Sequence, residues 1–182
     1  MLVDFQNVVV TLPVVPHTAT EVVGRAVELA AAFRTHGLPV VLVRVSLQLD
    51  GSDGAQGRTE FPRPDIEMPA DWDEIIDELS GHPEDIVIVK RGWGAFYGTS
   101  LDMELRRRGI THLVLAGLTT GIGVDTTARE AHHHNYHVTL ATDAMADMSI
   151  EAHDNSVERI FPQLGERGTT ADIIALLDKT RA

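Results

Sequence analysis

The sequence contains no cysteine. Disulfides, thiolate metal sites and a cysteine nucleophile are therefore excluded. Positive charge is also scarce: 15 Lys and Arg stand against 27 Asp and Glu, a formal net charge of −12. A general nucleic-acid binder needs a basic face to neutralise phosphates, so that class is set aside. A small anionic substrate held by one or two local cations is not. No apolar run reaches transmembrane length, so no membrane partner is expected. The start, Met1-Leu-Val-Asp-Phe-Gln6, has neither a basic segment nor a cleavage pattern, so no signal peptide and a cytoplasmic location are expected. There is no H-E-x-x-H spacing for zinc. Gly92-Trp-Gly94 and Gly121-Ile-Gly123 fall short of the dinucleotide fingerprint, and no cofactor is expected. No repeat or linker interrupts the 182 residues, so one domain spanning 1–182 is expected.

What is present is an alternation of buried-strand runs with helical periodicity. Met1 to Val3 reads as a strand ending at Asp4. Thr18-Ala-Thr-Glu21 is a capping box, followed by Val22, Ala26, Leu29, Ala30 and Phe33 at helical spacing and stopped at Gly37. Leu38 to Val45, Asp85 to Val89, Leu113 to Ala116 and His137 to Thr142 read as further strands. Helices are predicted from Asp71 to about Leu79, from about Thr99 to Arg108, from near Thr120, from Ser149, and from Thr169 or Thr170. Ser46 to Ala70 is the longest stretch without periodicity, a candidate lid. Strands alternating with helices imply βαβ units and a mostly parallel sheet covered on both faces.

In such sheets ligands bind beyond the carboxyl ends of the strands. Asp4, Lys90 and the Gly117–Gly123 turn all fall at such ends. The turn, Gly117-Leu-Thr-Thr-Gly-Ile-Gly123, passes from a strand into a helix through small residues. It reads either as a tight connection or as a cradle whose N–H groups face an anion. Asp4 reads as a proton donor if its surroundings are apolar, or as a local capping residue. Lys90 reads as its partner, as an anion ligand, or as a snorkelling edge residue. Trp93, Phe96 and Tyr97 either wall a pocket or pack a loop. Arg58 and Arg63 either clamp a carboxylate or lie in solvent. His132, His133 and His134 read as a solvated helix end, separated by a break at Asn135 from His137, and no metal site is expected.

Four stretches in order carry a family resemblance. They are Val3-Asp-Phe-Gln6; Val-Lys-Arg-x-x-x-Ala-Phe-x-Gly-Thr-x-Leu over 89–101; Ala-Gly-Leu-Thr-Thr-x-x-x-Val-x-x-Thr-Ala over 116–128; and Asp143-Ala-Met-Ala-Asp-Met148. Together they resemble the isochorismatase-like hydrolase superfamily over nearly the whole chain.

The resemblance implies a Rossmann-like three-layer α/β/α sandwich around a mostly parallel six-stranded sheet. The family's amidase branch uses an Asp–Lys–Cys triad, which carries over to Asp4 and Lys90, with Gly123 at the position of the cysteine. The nucleophile position is thus vacant, and the amidases' Asp-x-His metal motif is absent. The isochorismatase branch needs no cysteine and resembles this chain in its Ile-Gly at the same place. There the aspartate protonates a vinyl carbon, water captures the oxocarbenium ion, and pyruvate leaves. By the same resemblance Phe5, Gln6, Arg58, Trp93, Phe96, Leu118, Thr119 and Thr120 are expected to contact substrate, and a non-proline cis peptide falls at Leu118–Thr119. Val45 stands where that branch has a glutamine, which leaves the identity of the substrate open. A homodimer or larger oligomer is implied. The leading expectation is hydrolysis of a small, anionic enol ether by Asp4 as general acid. A non-catalytic binding relative is the alternative. An amidase using Thr119 or Thr120 ranks last, because no histidine is placed by sequence to activate either hydroxyl.

Overall fold

A computed structural model of the chain describes residues 1–48, 50–55, 57–60 and 68–181. Arg63 lies outside them. Strands β1 (Leu2–Val3), β2 (Val41–Val45), β3 (Ile86–Lys90), β4 (His112–Leu118), β5 (His137–Ala146) and β6 (Glu166–Gly168) form one sheet in the order β3-β2-β1-β4-β5-β6. Every adjacent pair is parallel. Helices α1 (Ala19–Thr35), α2 (Leu101–Arg107), α3 (Asp125–His133), α4 (Ile150–Asn155), α5 (Phe161–Leu164) and α6 (Thr170–Thr180) complete the α/β sandwich.

The sheet separates two apolar cores, because successive side chains of a strand point to opposite faces. On one face Val41, Val43, Leu113, Leu115, Val138 and Leu140 meet Leu101, Leu105, Ala128 and Phe161. On the other, Leu2, Leu42, Ala116 and Ala141 meet Val22, Ala26, Leu29 and Ile173 of α1 and α6. Both of those helices start at complete capping boxes, Thr18 with Glu21 and Thr169 with Asp172. Each box satisfies orphan N–H groups of its first turn. The strand order reverses direction between β1 and β4, a switch point of the kind beside which such sheets bind ligands.

Four elements depart from the sequence expectations. Residues 71–79 form turns, not a helix. Their backbone is drawn into pairing with the segment after β1: Ile76 N donates to Phe5 O at 3.1 Å, Asn7 N to Glu74 O at 3.0 Å, and Gln6 bridges Ile75. Those long-range partners outweigh the local helical period. β5 runs past Thr142 to Ala146, and β6, too short to show a period, completes the sheet. The helix expected from Thr120 begins as a π-type turn, Thr120–Val124, before α3. The described residues of 46–70 form no helix or strand.

Candidate active site

β1 delivers Asp4 to the switch point. Its φ of 60° places it in the left-handed region, where an aspartate is tolerated better than most residues but still at a cost of about 1 kcal/mol. Its N–H donates to Val43 O at 2.9 Å, so the turn is anchored to β2. The residue is 8% exposed. Oδ2 accepts from Lys90 Nζ at 2.7 Å, and Oδ1 is buried with no hydrogen-bond partner. A buried carboxylate with one unmet oxygen is costly to ionise. Burial pushes the Asp4 carboxyl up to about 6, against the opposing pull of the Lys90 charge and hydrogen bond.

Lys90 ends β3 and is 2% exposed. Its ammonium also donates to Trp93 O at 2.6 Å, so the loop that follows the strand folds back to hold it. This is not a snorkelling lysine: its charged end faces inward.

Gly123 closes the site from the β4 side. A Cβ built there would lie 2.8 Å from Asp4 Oδ2 and 3.3 Å from Val3 Cγ1. The position has room for a glycine and for nothing larger unless Asp4 moves. The adjoining Leu118–Thr119 peptide is cis. Asp4, Lys90 and Gly123, separated by up to 119 residues in sequence, are thus brought into one contact group.

The turn itself differs from the open cradle that its composition suggested. Gly121 N donates to Asp147 Oδ2 at 2.6 Å, and Val124 N donates to Thr119 O at 3.2 Å. Those two N–H groups are already satisfied from within the chain and do not face an anion. Thr120 is fully buried, and its Oγ1 lies 2.9 Å from His153 Nδ1. A histidine does therefore reach Thr120, contrary to the sequence expectation, because α4 folds back over the turn. Burial holds the His153 imidazole below its ordinary pKa, so the neutral ring is favoured. With both groups out of solvent, the pair ties the turn to α4 and offers no exposed hydroxyl. Asp147 was legible only as part of the Asp143–Met148 stretch, and His153 not at all; neither carried a signal of its partner.

Several expected contact residues have other partners. Gln6 is fully buried; its amide donates to Val45 O at 2.8 Å and Asp73 O at 3.0 Å and accepts from Val45 N at 2.8 Å. The side chain is spent on joining β2 to residue 73, as a buried amide must be. Phe5 and Leu118 are buried in the core on the α1 side. Phe96 packs in the opposite core, stacked on His134 at 5.0 Å between ring centroids. Trp93 contributes its carbonyl while the residue is 65% exposed, and Tyr97 is also exposed. Arg58 is exposed, and no hydrogen bond or ion pair joins it to Asp4, Lys90 or the turn. Thr119 is 8% exposed beside the turn. His132 and His133 end α3, Asn135 turns at φ 62°, and His137 begins β5, so the run is split as the break at Asn135 implies. Among the described residues no group of three His, Asp or Glu is arranged to hold a metal ion.

Comparisons with known proteins bear on the same geometry. The isochorismatase-domain family model matches residues 1–172. The uncharacterized isochorismatase family protein YecD of Escherichia coli O157:H7 is 40% identical over 177 residues, 97% of this chain and 94% of that protein. The structure of an isochorismatase family protein from Burkholderia thailandensis superposes with a TM-score of 0.93 at 43% identity, covering 97% of this chain and 93% of that one. The crystal structure of N-carbamoylsarcosine amidase from Thermoplasma acidophilum superposes with a TM-score of 0.71 at 30% identity, covering 93% and 94%.

Proposed function

The chain belongs to the isochorismatase family, whose members are hydrolases, and from that premise we propose that it hydrolyses a small anionic enol ether with Asp4 as general acid and no cysteine nucleophile. The observation that carries the reading is the state of Asp4: a buried carboxyl with a free Oδ1, held near 6, beside a lysine and over a glycine. A donor with a pKa near the working pH combines a sufficient protonated fraction with ready proton transfer. While Asp4 is protonated, the Lys90 charge is left uncompensated, and the site is complementary to an anion.

In the proposed reaction the Asp4 proton goes to the terminal vinyl carbon, and the ether oxygen stabilises the resulting oxocarbenium ion. The Asp4 carboxylate so formed is stabilised by Lys90. Water adds to the cationic carbon and gives its proton back to Asp4. The hemiketal then collapses, the carbon–oxygen bond to the leaving alcohol breaks, and a keto acid is released. No step needs a residue at 123.

A second reading is favoured by Gly123 itself: a relative that has lost the amidase triad and keeps the pocket only to bind a small molecule. One panel separates the two. Purified protein is offered isochorismate and related enol ethers with pyruvate release measured, and small amides with ammonia release measured, alongside thermal shift for each compound. Pyruvate release supports the enol-ether reading. Stabilisation with no product from any compound overturns it in favour of the binding module, and ammonia release overturns both.

A further inference from the structure

Asp4 and Lys90 reach the site from different strands, and the turn that carries Gly123 comes from a third. Something must hold the three in register. Lys90 depends on the Gly92–Phe96 loop through the Trp93 carbonyl. That loop is in turn fastened to α3. Ala95 N donates to Thr127 Oγ1 at 3.2 Å, and Phe96 N donates to Glu130 Oε2 at 2.9 Å. The approach is close: a Cβ on Gly94 would lie 2.1 Å from Glu130 Oε2, so a larger residue there would push that carboxylate off the loop.

Thr127 does a second thing. The same hydroxyl donates to Gly123 O at 2.6 Å, and the residue is fully buried. A hydroxyl has one proton to give and lone pairs to accept with. Here its single proton goes to the Gly123 turn and an acceptor position goes to the Lys90 loop. A threonine bonding back to the carbonyl four residues earlier is common in helices and usually ends there. In this chain the bond continues across to another element. Trp93, two residues before Ala95, holds Lys90, and Gly123 abuts Asp4 Oδ2.

We infer that Thr127, with Glu130 beside it, is a positioning residue: its hydroxyl couples the loop that holds Lys90 to the turn that backs Asp4. The inference rests on the reading of Asp4 and Lys90 as the reactive pair, but its test needs no substrate. Thr127→Val keeps the shape and removes both hydrogen bonds; Thr127→Ser keeps the hydroxyl. Without the bond the loop loosens, Lys90 spends less time on Asp4, and the carboxyl becomes harder to ionise. The Asp4 carboxyl carbon is followed by NMR through a pH titration of each folded variant.

Thr127→Val is expected to raise the Asp4 midpoint by about half a unit or more, and Thr127→Ser to leave it at the wild-type value. A merely structural threonine would lower the melting temperature without moving that midpoint. An unmoved midpoint in folded Thr127→Val overturns the inference. If that variant does not fold, Glu130→Ala, which frees Phe96 N, carries the test: a raised midpoint supports the coupling and an unmoved one overturns it. Loss of the general-acid reading, by full turnover in Asp4→Asn, leaves this titration result standing on its own.

Discussion

Two ion pairs are withdrawn from solvent at opposite ends of the sheet, and they are built differently. At the amino end of β3, Arg34 meets Asp85 with side chains 15% and 1% exposed. The guanidinium engages both carboxylate oxygens and also donates to Leu79 O at 3.4 Å. At the carboxyl end, Lys90 meets Asp4 with side chains 2% and 11% exposed, and only one carboxylate oxygen is used. The first pair meets both oxygens of its carboxylate, the arrangement by which a buried charge pair offsets its desolvation. The second leaves a buried oxygen without a partner and an aspartate in a left-handed backbone conformation. Unmet polar atoms and strained backbone cluster where a protein uses them. The contrast separates a pair whose carboxylate is met on both oxygens from one that keeps a free oxygen, and that free oxygen supports the proposed proton transfer from Asp4.

Four experiments would break or sharpen that contrast. The largest effect is expected from Asp4→Asn, which should cut turnover roughly 10²–10⁴-fold while the fold is kept; full activity with an unchanged circular dichroism spectrum would sink the general-acid role. Arg34→Met attacks the other pair. It strands Asp85 in the interior and should cost about 3–5 kcal/mol in denaturant unfolding, with turnover per folded molecule unchanged. If turnover fell in step with stability, the two pairs would not be functionally distinct.

The third experiment uses pH. Burial holds the folded Asp4 carboxyl near 6, above the ordinary value of 3.8, so its stabilising contribution is complete below about pH 4 and is lost as pH rises through 6. A shift of about two units corresponds to about 3 kcal/mol. The unfolding free energy of the wild type, taken relative to Asp4→Asn, should therefore fall by about that amount from pH 4 to pH 7. A flat difference would mean that burial does not hold the carboxyl up. The smallest effect is expected from Gly123→Ala. Its methyl would press on Asp4 Oδ2, and turnover should drop about tenfold with little change in stability. Unaltered turnover would show that Asp4 tolerates displacement.

Much of the architecture was legible because it is written in local chemistry. Thr18 and Thr169 cap helices through residues three positions away, and continuous aliphatic runs such as Val40–Val43 are buried on both faces of a parallel sheet. Asp4, Lys90 and Gly123 were legible by position, since each lies at or just beyond the carboxyl end of a strand, and the resemblance gave them an order. Residues 71–79 misled for the opposite reason. Ile75, Ile76 and Leu79 keep a helical spacing, but Ile76 N bonds Phe5 O and Glu74 O accepts from Asn7 N, both in the distant segment after β1. Gln6 misled similarly: its side chain is polar at a site-like position, yet it is consumed by Val45 and Asp73.

By itself, then, the sequence determined the sandwich class, the strand ends where chemistry would collect, and the absence of a thiol. Those follow from hydrophobic period, capping residues and composition, all readable within a few positions. Only the tertiary structure decided that Asp4 Oδ1 has no partner, that Gly121 is already capped by Asp147, that His153 meets Thr120, and that Thr127 joins the Lys90 loop to the Gly123 turn. Whether a buried polar atom is met depends on groups brought together from far along the chain.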